Sequence, residues 1–151
     1  MSHIHTNSER FQDKLQQFEF SKTAVMDAGD IVTLDYNGID GERWYPTAGD
    51  AAVYQGQLKL NAVCTDAGSG SQAFSKCDTE EVNILFEYDG TTSVIAHNHQ
   101  YFKHSDANMN GTYSYSVNAQ QGIDIKWTAP SGASGTTFKI KAVAKVLVID
   151  I

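Results

Sequence analysis

Histidines, cysteines and carboxylates are the side chains through which this chain could do chemistry, and His97-Asn98-His99, with His104 close behind, is their densest group. On a strand, positions i and i+2 share a side, so His97 and His99 present two imidazoles together. Two nitrogens do not complete a metal site. Three chains about an axis would supply six, enough for an octahedral transition metal. Within one chain no acidic residue stands at a matching spacing, and histidines on an exposed strand are common. No metal and no cofactor is assigned.

Cys64 and Cys77 bracket loop 65–76, rich in Gly and Ser, and a hairpin could bring them together. They would pair in an oxidising medium and stay free in a reducing cytoplasm, and the sequence leaves both open. Without a histidine constellation beside them they make neither a zinc site nor a nucleophile. No Gly-x-Ser-x-Gly elbow is present. Glu80, Glu81, Glu87 and Asp124 are expected at strand ends or outward positions, on a solvated face. Gly68-Ser69-Gly70-Ser71 lacks the Lys and the strand-to-helix setting of a phosphate loop. The chain is expected to be non-enzymatic. Trp44-Tyr45 and Tyr101-Phe102 could stack on sugars or on a receptor, or serve as core plugs and interface anchors.

These residues must be held by strands. The sequence has 151 residues, 41% of them apolar, and its 12 glycines with many Thr, Ser and Tyr favour strands and turns. A chain of this length buries enough surface to fold without a metal or disulfide. The net charge of −7 argues against nucleic acid, which rewards Lys and Arg, and against anionic membranes. Residues 1–8 lack the apolar core of a signal peptide, and no stretch approaches a membrane helix. Synthesis and folding in a host cytoplasm are expected.

Residues 1–27 read as an arm. Thr6 and Glu9 fit a capping box, and Phe11, Leu15 and Phe18 fall at i, i+4 and i+7, predicting a short amphipathic helix near 8–18. That helix would dock through Phe11, Leu15 and Phe18, on its own sheet or on a neighbour. From residue 28 the period becomes two. Val32, Leu34 and Tyr36 precede an Asn37-Gly38 turn, and Ala52 to Cys64 alternates over a long strand. Val82, Ile84, Phe86 and Tyr88 lead to Asp89-Gly90, read as type I′ hairpin chemistry. Further strands are predicted over 91–96, 112–117, 123–127 and 137–151. About seven or eight strands without intervening helices predict an all-β antiparallel sandwich or jelly roll over 28–151.

The last strand is the most informative. Phe138, Ile140, Ala142, Ala144, Val146 and Val148 form one apolar face, while Lys139, Lys141 and Lys145 mark the other. Towards its end Val143, Leu147, Ile149 and Ile151 make the second face apolar as well. A strand apolar on both faces is covered on both. A second subunit about an axis, or the arm, would cover it, and the homotrimer is favoured, with these four residues at its interface.

Several stretches resemble the C-terminal domains of tailed-phage structural proteins. They are Phe86 to Thr92, Gly111 to Ala119, Ile123 to Trp127, and Gly135 into the final strand, with Gly49 to Gly56 heading the long one. Phe138 departs from the pattern, standing near where a Trp is often found. The resemblance spans about 28–151. It implies a trimeric jelly roll of the tumour-necrosis-factor kind and no activity. In virions such domains act as head decoration or as fibre and spike tips. With a short arm and no fibrous shaft before the domain, the expectation is a capsid decoration (cement) protein. It would trimerise, bind the major capsid protein on the capsid surface and stabilise the head shell. The alternative is a tail-fibre or spike tip that binds a receptor or a host surface glycan.

Overall fold

A computed structural model describes residues 14–151, and among them every regular element is a strand. In chain order these are β1 (Leu15–Met26), β2 (Ile31–Thr33), β3 (Asp35–Tyr36), β4 (Ala52–Asp66), β5 (Cys77–Tyr88), β6 (Ser93–Ser105), β7 (Thr112–Val117), β8 (Ile123–Thr128) and β9 (Thr136–Asp150). They form an antiparallel sandwich of a six-stranded sheet, β3-β1-β9-β4-β5-β6, and a three-stranded sheet, β2-β8-β7. The expected all-β antiparallel class stands. The division is six on three, however, where two matched sheets are expected of a jelly roll.

The helix expected near 8–18 is corrected for its described part. Leu15 to Phe18 open β1, which pairs along its length with β9, from Leu15↔Leu147 to Met26↔Thr136. Phe11 and the proposed cap lie outside the described residues. The competing signal was in the chain: Phe18, Phe20, Ala24 and Met26 keep a period of two, with Phe20 and Met26 buried. A full ladder of backbone hydrogen bonds to β9 outweighs a short helical stripe that cannot hold itself together alone. Leu15 and Phe18 consequently point to opposite faces rather than to one docking surface.

The core lies between the sheets. Trp127, Ile125 and Ile123 of β8 meet Phe138, Ile140 and Ala142 of β9 and Leu60 and Ala62 of β4 in one buried cluster. The Trp127 ring stands edge-on to Phe138 at 4.8 Å. Small side chains at Ala62 and Ala142 leave room for these large rings, as close packing requires. The alternations predicted for β4 and β9 are the ones observed, from Ala52 to Cys64 and from Phe138 to Val148.

Two turns differ instructively. At Asn37-Gly38 both residues have positive φ, 55° and 69°, and Ile39 N–H donates to Tyr36 C=O, which is type I′ geometry. Asp89-Gly90 does not adopt it: Gly90 alone has positive φ. Residues 89–92 instead make a wider loop, in which the Asp89 carboxylate accepts from the Thr91 and Thr92 N–H groups. An Asx cap has replaced the tight turn.

Sheet lengths decide what stays uncovered. β4 and β9 run 15 residues and β7 and β8 only six, roughly 50 Å against 20 Å. The small sheet therefore covers the middle of the large one and leaves an end of its inner face to be closed by loop 37–51.

Candidate interaction surfaces

The outer face of the large sheet is assembled by register. One transverse row runs Leu15, Leu147, Gln55, Leu85, His97 across β1, β9, β4, β5 and β6. Beside it Ile149 pairs with Val53, and Val53 with Glu87. On the other side run Gln17, Lys145, Gln57, Asn83 and His99, then Glu19, Val143, Lys59, Glu81 and Phe102. Val143 and Leu147 are half-buried and Ile149 is 48% exposed. These three residues thus share one face, together with Leu15 of β1, and no described element lies over them. Ile151 is exposed beyond the end of β9. Lys59 lies 3.5 Å from Glu81, so the face carries both charge signs.

His97 and His99 lie at the edge of this face, on β6, their rings nearly parallel with centroids 6.0 Å apart. His104 is further along the strand and its Nε2 lies 3.1 Å from Asp106. Among the described residues no group of three His, Cys, Asp or Glu side chains converges. Two bulges interrupt the β5–β6 ladder, at Glu81/Val82 and Leu85/Phe86, and leave Tyr101 and Ala96 unpaired. Bulges of this kind twist an edge strand away from unwanted pairing. Tyr101 and Phe102 are exposed there.

The cysteines are free. Val63 pairs with Cys77, which puts Cys77 on the outer face, whereas Cys64 is buried in the core. Opposite faces of a sheet rule out a bridge between them. Burial raises the Cys64 thiol pKa above its ordinary value.

Glu81 and Glu87 face outward as expected, but Glu80 does not. It shares the inner face of β5 with Asp78 and Val82 and is buried, accepting from Tyr115 Oη and Gln100 Nε2. The period-two alternation read backward from Val82 predicts this placement. Asp78 is fully buried, 2.6 Å from Lys103 Nζ, and accepts from Ser105 Oγ at 2.6 Å and Trp127 Nε1 at 2.9 Å. Tyr113 Oη donates to the Asp78 carbonyl at 2.7 Å. Satisfied this fully, the two acids lock β5 and β6 to β7 and β8.

At the open end of the sandwich, loop 37–51 places Trp44 against Phe18 at 5.2 Å, Tyr54 at 5.1 Å and Phe86 at 5.8 Å. The Trp44 carbonyl crosses so close to Gly122 that a Cβ there would lie 1.7 Å from its oxygen. Arg43 holds the loop from below, donating to Asp35 at 2.7 Å. Trp44 is thus a plug, whereas Tyr45 is 51% exposed. Two voids flank this aromatic layer. One is an apolar cavity of about 40 Å³ beneath it. The other is a cleft of about 210 Å³ bordered by Gln16, Trp44, Tyr45, Tyr54, Asp50 and Asp150.

No protein-family model matches the sequence, and no curated protein does. Among solved structures, the chain is similar to part of the Acinetobacter phage vB_ApiP_P1 tailspike protein, at 17% identity and a TM-score of 0.45. The similarity covers 87% of this chain and 22% of that one, so the chain spans under a quarter of the tailspike's length.

Proposed function

We propose that this chain is a non-enzymatic structural protein of a phage particle, a decoration protein that forms homotrimers and binds the major capsid protein on the head surface. One observation carries the self-association. Leu15 and Leu147, with Ile149 and Val53 beside them, form an apolar cluster, divided from Leu85 by Gln55, on a sheet face over which no described element lies. The solvated face of a strand is ordinarily polar, and an exposed apolar cluster of this kind is a mark of association. A second copy is the fitting occupant because the flanking rows bear both Lys59 and Lys145 and Glu19 and Glu81. Such a face can satisfy its own charges across a symmetry axis. The virion setting rests on the sequence resemblance to tailed-phage domains. The net charge of −7 favours solubility at high copy number over DNA binding.

In this reading the trimer fixes three shell-binding surfaces at once, and avidity rather than any single contact stabilises the head. Light scattering behind a sizing column tests the first step. A mass near three times 16.5 kDa is expected, and Leu147→Lys should return a folded monomer. A monomeric native chain would sink the proposal. Co-sedimentation with undecorated capsids tests the second step, and trimers that fail to bind would remove the head from the reading.

A further inference from the structure

We propose that Lys103 and Asp78 condense into an intramolecular amide, with Glu80 carrying the proton, so that the edge strand β6 becomes covalently joined to β5. This goes beyond the assembly reading and does not depend on it. The pair lies between the sheets, beside Trp127 of β8, and the apolar cluster lies on the outer face.

Strand register brings the reactants together. Glu80 stands directly opposite Lys103, and Asp78 opposite Ser105, so the four side chains share the inner side of the β5–β6 pair. Opposed residues lie roughly 5 Å apart at Cβ, which sets Lys103 against Glu80 and one step along from Asp78. The lysine turns toward Asp78, with its Nζ 2.6 Å from Asp78 Oδ1. The start of β7 closes over them. Lys103 Nζ donates to the Gly111 carbonyl at 3.2 Å and lies 5.1 Å from the centre of the Tyr113 ring. Gly111 comes this close because it has no Cβ, which would stand 2.6 Å from the Trp127 indole. Both Asp78 and Glu80 are buried.

Each atom that must move has a partner. One proton passed from Nζ to Oδ1 turns the ion pair into an amine and a carboxylic acid. The Nζ lone pair then attacks Asp78 Cγ, and the carbonyl electrons move onto Oδ2. Trp127 Nε1–H, 2.9 Å from Oδ2, meets the charge that develops there. Glu80 accepts a proton from Nζ and passes it to the Oδ1 hydroxyl, to which Ser105 Oγ is hydrogen-bonded at 2.6 Å. The Cγ–Oδ1 bond breaks, one water leaves, and a secondary amide joins Nζ to Cγ. Nothing is oxidised or reduced, and no other reactant enters. Tyr115 Oη and Gln100 Nε2 hold the Glu80 carboxylate in place. Burial, and after it the bond to Glu80, raise the Tyr115 pKa, so this phenol stays a donor. Groups fixed in contact react as if at roughly 10⁵–10⁸ M, and the enclosure slows hydrolysis of the product. The amide would fasten β6, whose one sheet neighbour is β5, next to the bulge at Glu81/Val82.

The experiment is an intact-mass measurement on the full chain after incubation in the folded state, followed by peptide fragmentation. The expected mass is one water below that of the sequence, with a fragment joining the peptides that bear Asp78 and Lys103. Lys103→Arg keeps the charge and the ion pair but supplies no amine nucleophile, and should show its full mass. Glu80→Gln should slow the loss of water by about a hundredfold. The full sequence mass in the incubated native chain would overturn the proposal. So would a loss of water that persists in Lys103→Arg, since the Asp-Gly pairs at 40–41 and 89–90 can also lose water. An unchanged rate in Glu80→Gln would overturn it as well. None of these outcomes bears on the oligomeric state, so the two readings fail separately.

Discussion

Asp78 shows how much one buried side chain can hold. Its carboxylate is fully buried and ties Lys103 and Ser105 of β6 and Trp127 of β8 to β5. Asp78→Ala would strand Lys103 and leave the Trp127 N–H unpaired in the core. We expect a loss of about 3 kcal/mol, the low end for breaking a buried pair, because the Lys103 side chain keeps 25% of its exposure. Urea unfolding checks this: the midpoint should fall with little change in slope. The cysteines give a second prediction at this scale. Cys77 should react with a thiol reagent in the native protein, and Cys64 only after denaturation, since only Cys77 reaches the surface. Reducing agent should leave the melting temperature unchanged.

Elements come together at Asp35, where β3 meets β1 and the plug loop. Burial works against the Asp35 charge, but hydrogen bonds from Arg43, Lys22 and the Gly41 N–H outweigh it and hold its pKa below the ordinary 3.8. Hydrogen bonds to Asp35 and Asp40 raise the Lys22 pKa above 10.5. A depressed carboxyl stabilises the fold above 3.8, and that contribution is lost as pH falls through the lower folded value. A raised amine contributes fully below 10.5, and that is lost as pH climbs through the higher folded value. Asp35→Asn should therefore flatten both limbs of a melting-temperature-against-pH curve, the acid limb more. β1 itself carries a separate expectation. The alternate amides of Phe18 to Met26 that point toward β9 should exchange with deuterium as slowly as those of β9. Fast exchange throughout β1 would mean that it is an arm after all.

The whole molecule is lopsided, with a long sheet half-covered by a short one. The outer face has no second layer among the described residues, and the inner face has one only in the middle. Leu147→Lys should therefore lower the mass without unfolding the chain, because the change falls on the outer face and leaves the core between the sheets untouched.

The alternation in β4, β5 and β9 was legible because a half-buried strand must put an apolar residue at every second position. Phe138 to Val148 could face only a core. The all-β class and the Asn37-Gly38 turn followed from similarly local chemistry. The first strand was misread because Phe11, Leu15 and Phe18 fit a helical stripe while Phe18 and Phe20 fit a strand. Only a ladder partner more than a hundred residues away, β9, chose between them. Glu80 was placed outside because a carboxylate in water is the commoner case, and its partners Tyr115 and Gln100 come from other strands. The cleft was invisible for the same reason. Trp44 and Tyr45 could be named as aromatics with two possible uses. Which ring plugs the core and which borders a cleft depends on where six-residue strands end against fifteen-residue ones. That is a relation between sheets, and no local pattern carries it.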